Sequence, residues 1–310
     1  MMIKGTFLDE ISHDIPHQNW GEEEWDRDFG YMRAADIENV ILIRCGYRRW
    51  QTFPCEVLTA REGCYVPPVD LVDMFLRLSD KWGMMFWFGL YDSGKYWDMG
   101  DYVAEVEINK LVVDEAWRRY GHYRSFGGWY ISQECSRRTG QIVELYAELG
   151  RHCKEASGGL PTMISPYIDG RKNLSQYDAS TAREDSVTLD SHEKEWDAIF
   201  AGISGAVDIV AFQDGHVDYD ELADFLRVNK RLADRYGLEC WTNTETFDRD
   251  MPIKFLPIKW EKLRLKMSLA AEAGIENAIT FEFSHFMSPQ SAYRQAGHLY
   301  DRYIEYLKLK

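Results

Sequence analysis

Two glutamates stand where apolar, strand-like runs give way to polar residues. The run "GGWYISQE" (Gly127–Glu134) closes on Gln133 and Glu134, and "ECWTNTETF" (Glu239–Phe247) carries Glu245 within a polar stretch. Two carboxylates facing one cleft are the minimum equipment for breaking a glycosidic bond. One protonates the departing oxygen, and the other attacks the anomeric carbon or activates water. A third acid, Glu282 in "TFEFS", lies between two phenylalanines, where desolvation raises a carboxyl pKa unless a cation offsets it. It is a rival nucleophile, or a ligand for a substrate hydroxyl. Whether these acids meet depends on the elements that carry them.

Short apolar runs alternate with longer amphipathic stretches along the whole chain. The expected strands are Ile3–Glu10, Asn39–Tyr47, Met84–Asp92, Gly127–Glu134, Pro161–Asp169, Val207–Gly215, Glu239–Phe247 and Asn277–Phe286. Between them lie helical patterns such as "PVDLVDMFLRLSDKWG", in which Leu71, Phe75, Leu78 and Trp82 share one face, and the stretch around Tyr102–Tyr120. Eight strand–helix alternations imply a parallel sheet closed into a (β/α)8 TIM barrel, expected here as a single domain over residues 1–310. The open doubly wound alternative wants GxGxxG after the first strand, and "GTFLDE" does not supply it.

A barrel of this kind assembles its site from the C-terminal ends of its strands. On that expectation Glu134 and Glu245 are the catalytic pair. Glu10, Arg44, Tyr91, Gln133, Tyr167, Gln213, Asn243, Glu282 and His285 surround them as substrate-binding residues. Arg44 interrupts the apolar "ILIRCG" and needs a carboxylate partner, for which Glu10, Glu282 and the nucleophile are the choices. Trp50 and Trp97 fall in loops, where burial is not required, and suit stacking on sugar faces. The stretch Ile168–Asp190, rich in Asp, Ser and Thr, reads as a rim element.

Charge narrows the partners. A net charge of −15 over 310 residues argues against nucleic acid and favours a neutral ligand. No apolar run approaches the length of a membrane span, and the opening "MMIKGTFLDE" has no signal-peptide pattern. A cytoplasmic protein is expected as written, or a secreted or periplasmic one if a leader has been trimmed. The six cysteines form no CxxC pair and read as reduced core thiols, with a Cys55–Cys64 disulfide as the alternative. No cofactor motif is present and no metal is expected. An isomerase or lyase barrel using a metal at Asp9, Glu10, Asp214 and His285 is the alternative enzyme, and a carbohydrate-binding barrel without turnover is the non-enzymatic one.

The placement of Glu134 and Glu245 resembles the clan of retaining glycosidases built on (β/α)8 barrels. The resemblance implies an acid/base glutamate after strand four and a nucleophile glutamate at the end of strand seven. That clan usually places Asn before the acid, whereas this chain has Gln133. Glu282 stands where the clan often has an aromatic platform. Over nearly its full length the chain also resembles a bacterial family of uncharacterised glycosidase-like barrels that open on a "GTF-DE" strand followed by a "VILIRCGY"-like second strand.

Overall fold

The computed structural model describes residues 1–13, 15–170, 187–249 and 255–309. Eight strands form the barrel: β1 (Met2–Leu8), β2 (Asn39–Leu42), β3 (Met85–Gly89), β4 (Phe126–Ile131), β5 (Thr162–Ile164), β6 (Ile209–Gln213), β7 (Glu239–Asn243) and β8 (Asn277–Thr280). All neighbours are parallel, and the order β1-β8-β7-β6-β5-β4-β3-β2 closes on itself. Helices α1 (Glu22–Ala34), α2 (Leu71–Trp82), α3 (Tyr102–Tyr120), α4 (Ile142–Ser157), α5 (Leu189–Ile203), α6 (Tyr219–Tyr236), α7 (Trp260–Glu272) and α8 (Arg294–Lys308) alternate with the strands. The chain is a (β/α)8 TIM barrel.

Strand side chains alternate between two apolar layers, because successive residues point to opposite faces. Phe7, Ile41, Trp87, Tyr130, Met163, Ala211, Trp241 and Ile279 pack together inside the barrel. Their neighbours Leu8, Val40, Phe88, Trp129, Ile164, Phe212, Cys240 and Ala278 face the helices. Counting onward by twos from the interior set reaches Asp9, Glu134, Gln213, Asn243, Glu245 and Phe281. The same count puts Gln133 and Glu282 on the helix side. Close approach is needed at one point on this wall. A Cβ on Gly89 would lie 2.0 Å from the Leu42 carbonyl oxygen, so only glycine lets β3 pass that close to β2.

The strands end sooner than the polar patterns suggested. β4 stops at Ile131 and β8 at Thr280, so Glu134 and Glu282 lie on the connecting segments. Tyr91 and Asp92 leave the barrel for a three-stranded sheet with Gly46–Tyr47 and Trp50–Gln51, a layer the periodicity did not reveal because each strand is two residues long. Phe283–Phe286, expected as strand, is a short helix. Most of the Ile168–Asp190 segment lies outside the described residues. All six cysteines are buried and free, so the Cys55–Cys64 disulfide is not formed.

Candidate active site

A cavity of about 270 Å3 opens at the C-terminal ends of the strands. Glu134 and Glu245 both line it, with Asp9, Arg44, Gln213, Asn243 and Arg249, while Phe247, Phe255 and Phe281 supply apolar walls. The interior count by twos delivers Asp9, Glu134, Gln213, Asn243, Glu245, Phe247 and Phe281, while Arg44, one residue off the Ile41–Ile43 series, enters from the segment that follows β2.

The two carboxylates sit in contrasting surroundings. Glu134 Oε1 accepts from Tyr130 Oη at 2.9 Å, and Gln213 also donates to this carboxyl. Burial raises the Glu134 pKa above the usual range, outweighing the opposing pull of Arg44 and of these two donors. The Gln213 amide is fixed by donation to the Ser165 carbonyl at 2.7 Å, and Ser165 Oγ in turn accepts from Asn243 Nδ2 at 3.0 Å. Glu134 therefore holds its proton to higher pH than an ordinary glutamate.

Glu245 is gripped at both oxygens by Arg249, with Nε to Oε2 at 2.8 Å and Nη2 to Oε1 at 2.7 Å. Burial pushes its pKa upward, but Arg249, with help from Lys266 and His216, overrides that and leaves it below the ordinary value. Behind the pair, Asp214 Oδ1 accepts from Lys266 Nζ at 2.7 Å and from the Glu245 backbone N–H at 3.2 Å. The fork–fork geometry needs space. A Cβ on Gly215 would fall 1.9 Å from Glu245 Oε2 and 2.3 Å from Arg249 Nε, so any larger residue there would have to move one member of the pair.

Of the residues expected at the site, Glu134, Glu245, Arg44, Gln213 and Asn243 line the cavity, and the others do not. Gln133 faces the helices, where its Nε2 donates to the Tyr91 carbonyl at 2.8 Å and to Glu105 Oε1 at 2.7 Å. Glu282 also falls on the helix side and caps the short Phe283–Phe286 helix. Its oxygens accept the backbone N–H groups of Ser284 at 2.9 Å and His285 at 2.6 Å. Burial works against charging His285, but Glu282 at 2.5 Å overrides it and holds the imidazole up at about 9. Phe281 presents its ring to the cavity instead. Glu10 accepts from the Gln18 N–H, and burial pushes its carboxyl to about 7.

The aromatic expectations fare similarly. Trp50 is 62% exposed and leans on Tyr65, away from the cavity. Tyr91 is buried and donates to the Arg48 carbonyl at 2.6 Å, while Trp97 Nε1 donates to Asp92 at 3.1 Å. Tyr167 bridges to Gln213 through the backbone and turns its ring toward His216. Arg44 takes none of its expected partners among Glu10, Glu282 and Glu245. Asp92 stands at 4.0 Å, and Glu134 and Asp9 lie nearby.

Sequence reasoning passed over Arg249, Lys266, Gly215 and Tyr130. The Glu245–Arg249 spacing of four is visible in the chain, as is a lysine among the buried Leu263, Met267 and Ala270 of α7. Among the described residues no cluster of three or more His, Cys, Asp and Glu side chains could hold a metal ion. Within the set Asp9, Glu10, Asp214 and His285, Asp214 is bound to Lys266 and His285 to Glu282.

Residues 3–293 match the family described as a domain of unknown function, DUF4434. The chain belongs to that family. Among solved structures this DUF4434 chain is 61% identical to a "putative alpha-L-fucosidase" from Bacteroides thetaiotaomicron VPI-5482, with a TM-score of 0.94 over 100% of this chain and 94% of that one. More distant barrels share the fold. An endo-1,4-beta-D-mannanase from Thermotoga petrophila RKU-1 has a TM-score of 0.61 at 10% identity, covering 100% of this chain and 99% of that one. A GH2 beta-galacturonidase from Eisenbergiella tayi has a TM-score of 0.58 at 12% identity, covering 98% of this chain and 51% of that one. No curated protein matches the sequence. The DUF4434 chain is therefore a glycosidase-like barrel, and among its described residues no helix is long and apolar enough to cross a membrane.

Proposed function

We propose that the protein is a retaining glycoside hydrolase in which Glu134 is the general acid/base and Glu245 the nucleophile. The observation that carries this reading is the pair of carboxyls on one cavity whose pKa values are driven in opposite directions, Glu134 up and Glu245 down. Such a split is what assigns acid and nucleophile in one site. Glu134 protonates the departing glycosidic oxygen as Glu245 attacks the anomeric carbon, giving a glycosyl-enzyme. Water, deprotonated by Glu134, then releases the sugar and restores both groups.

A carbohydrate substrate follows from this reading, and the relative at 61% identity makes α-L-fucosides the first compounds to try. A panel of aryl glycosides and oligosaccharides, followed by 1H NMR of the first-formed product, tests the proposal. Turnover with retention of anomeric configuration is expected, and inversion would reassign Glu245 as a general base. One observation favours a second reading, a binding barrel without turnover: Arg249 occupies both Glu245 oxygens. Sugar binding with no hydrolysis anywhere in the panel would select it.

The steric demand at Gly215 adds a prediction. Gly215→Ala must displace Glu245 or Arg249, and a displacement near 1 Å is expected to cost on the order of 10²-fold in kcat/KM. Steady-state kinetics on whichever glycoside is cleaved, beside a thermal melt to show that the barrel has formed, checks this.

A further inference from the structure

The cavity carries polar atoms that the two-carboxylate chemistry does not use. Asp9 Oδ2, Arg44 Nε and Asn243 Oδ1 are buried and make no hydrogen bond, and all three side chains line the cavity. Each is anchored by its other atoms. Asp9 Oδ1 accepts the backbone N–H groups of Ile11 and Ser12 at 3.0 and 2.9 Å. Asn243 Nδ2 donates to Ser165 Oγ at 3.0 Å, and the Arg44 guanidinium lies 5.3 Å from the centre of the Tyr47 ring. An unpaired buried polar atom is costly, so three from the ends of β1, β2 and β7 on one small cavity point to a ligand that answers them.

The count of donors and acceptors selects the ligand. Two of the three atoms are acceptors and need donors, while Arg44 Nε needs an acceptor. A carboxylate or sulfate offers acceptors only and answers Arg44 alone, whereas a hydroxyl both donates and accepts. The charges agree. Arg249 is committed to Glu245, and Arg44 already stands among Asp9, Asp92 and Glu134, so the described lining has no surplus guanidinium for an anion. Phe247, Phe255 and Phe281 offer apolar surface for the C–H face of a ring. The volume of about 270 Å3 is near the lower end of the roughly 300–1,000 Å3 typical of ligand sites, which suits one sugar residue rather than a run of them.

We propose that Asp9, Arg44 and Asn243 form the recognition set of a subsite for one neutral sugar residue, selecting uncharged chain ends over uronosyl or sulfated ones. The reference to chain ends rests on the glycoside hydrolase reading, while the binding specificity stands apart from it. Isothermal titration calorimetry on the full-length Glu134→Gln protein provides the test. The probes are L-fucose, D-mannose, D-xylose, D-galactose and D-glucose, set against D-galacturonic acid, D-glucuronic acid and galactose 6-sulfate.

At least one neutral sugar is expected to bind, and at least about 10-fold more tightly than any charged probe. Adding Asp9→Asn or Asn243→Ala is expected to weaken it by at least about 10-fold, since the first sets an amide donor and a lost charge where a hydroxyl donates to Oδ2, and the second removes the Asn243 acceptor outright. Thermal melts show whether each variant is folded, and Asn243→Ala alone decides the matter if Asp9→Asn is not. Tighter binding of a charged probe, no binding by any probe, or binding indifferent to these changes would overturn the proposal. Neutral-sugar binding that depends on Asp9 and Asn243, with no hydrolysis by the wild-type protein, defeats the enzymatic reading and leaves the subsite standing. Hydrolysis together with indifferent binding does the reverse.

Discussion

Glu245→Gln is expected to lower kcat by at least ~10³ on any glycoside the wild-type protein cleaves. An amide cannot attack the anomeric carbon, and it cannot return the two charge-assisted bonds of Arg249. The change also leaves a guanidinium without its counter-charge, and breaking a buried pair from one side costs about 3–5 kcal/mol. Loss of activity alone would therefore be ambiguous, and two measurements separate chemistry from folding. A thermal melt reports the stability cost. Azide, supplied to a Glu245→Gly variant, tests the vacated position directly: a small anion entering where the carboxylate stood should restore turnover and give a glycosyl azide of inverted anomeric configuration. Near-wild-type turnover in Glu245→Gln would end the assignment.

Glu134→Gln is expected to lose ~10³ or more in kcat on substrates with poor leaving groups and far less on aryl glycosides whose phenolate departs unaided. Its pH profile is the sharper test. Glu134 works protonated and its pKa is raised, so wild-type activity is present below that pKa and lost as pH rises through it. Glu245 works ionised and its pKa is lowered, so activity is lost as pH falls through it. The bell should keep its acidic limb in Glu134→Gln and lose its alkaline one. An alkaline limb that survives unchanged would mean that another group carries the proton.

Much of this was legible in the chain. Eight apolar runs separated by amphipathic stretches specify the barrel because each strand must bury both faces and each helix one. Acids close several of the runs, Asp9, Asp92, Asp214 and Glu282 among them, and Glu134 and Glu245 stood out because they close the fourth and seventh. What could not be read was orientation past the last ladder bond. Glu282 and Gln133 looked like site residues since each follows an apolar strand, yet the count by twos sends both toward the helices, and Phe281 takes the place at the cavity. Trp50 and Tyr91 were misplaced by a small sheet too short to show a period. Arg249 and Lys266 escaped notice because a cation in a loop or on a helix face is ordinary until folding shows which carboxylate it meets.

The strict alternation of core and helix-facing side chains has a consequence for how this barrel can change. From Tyr130 to Glu134, and from Trp241 to Glu245, the acid stays on the cavity only while the number of residues between strand and acid remains even-spaced. Gain of one residue in either stretch would turn the acid toward the helices and bring the preceding residue to the cavity, Gln133 in place of Glu134 and Thr244 in place of Glu245, while loss of one would bring Cys135 or Thr246. Substitutions along these stretches leave the acid on its face, whereas single-residue length changes do not. Arg44 reaches the same cavity off the Ile41–Ile43 parity, from a segment that has already left β2, so the rule binds the two acid-bearing stretches rather than the whole mouth.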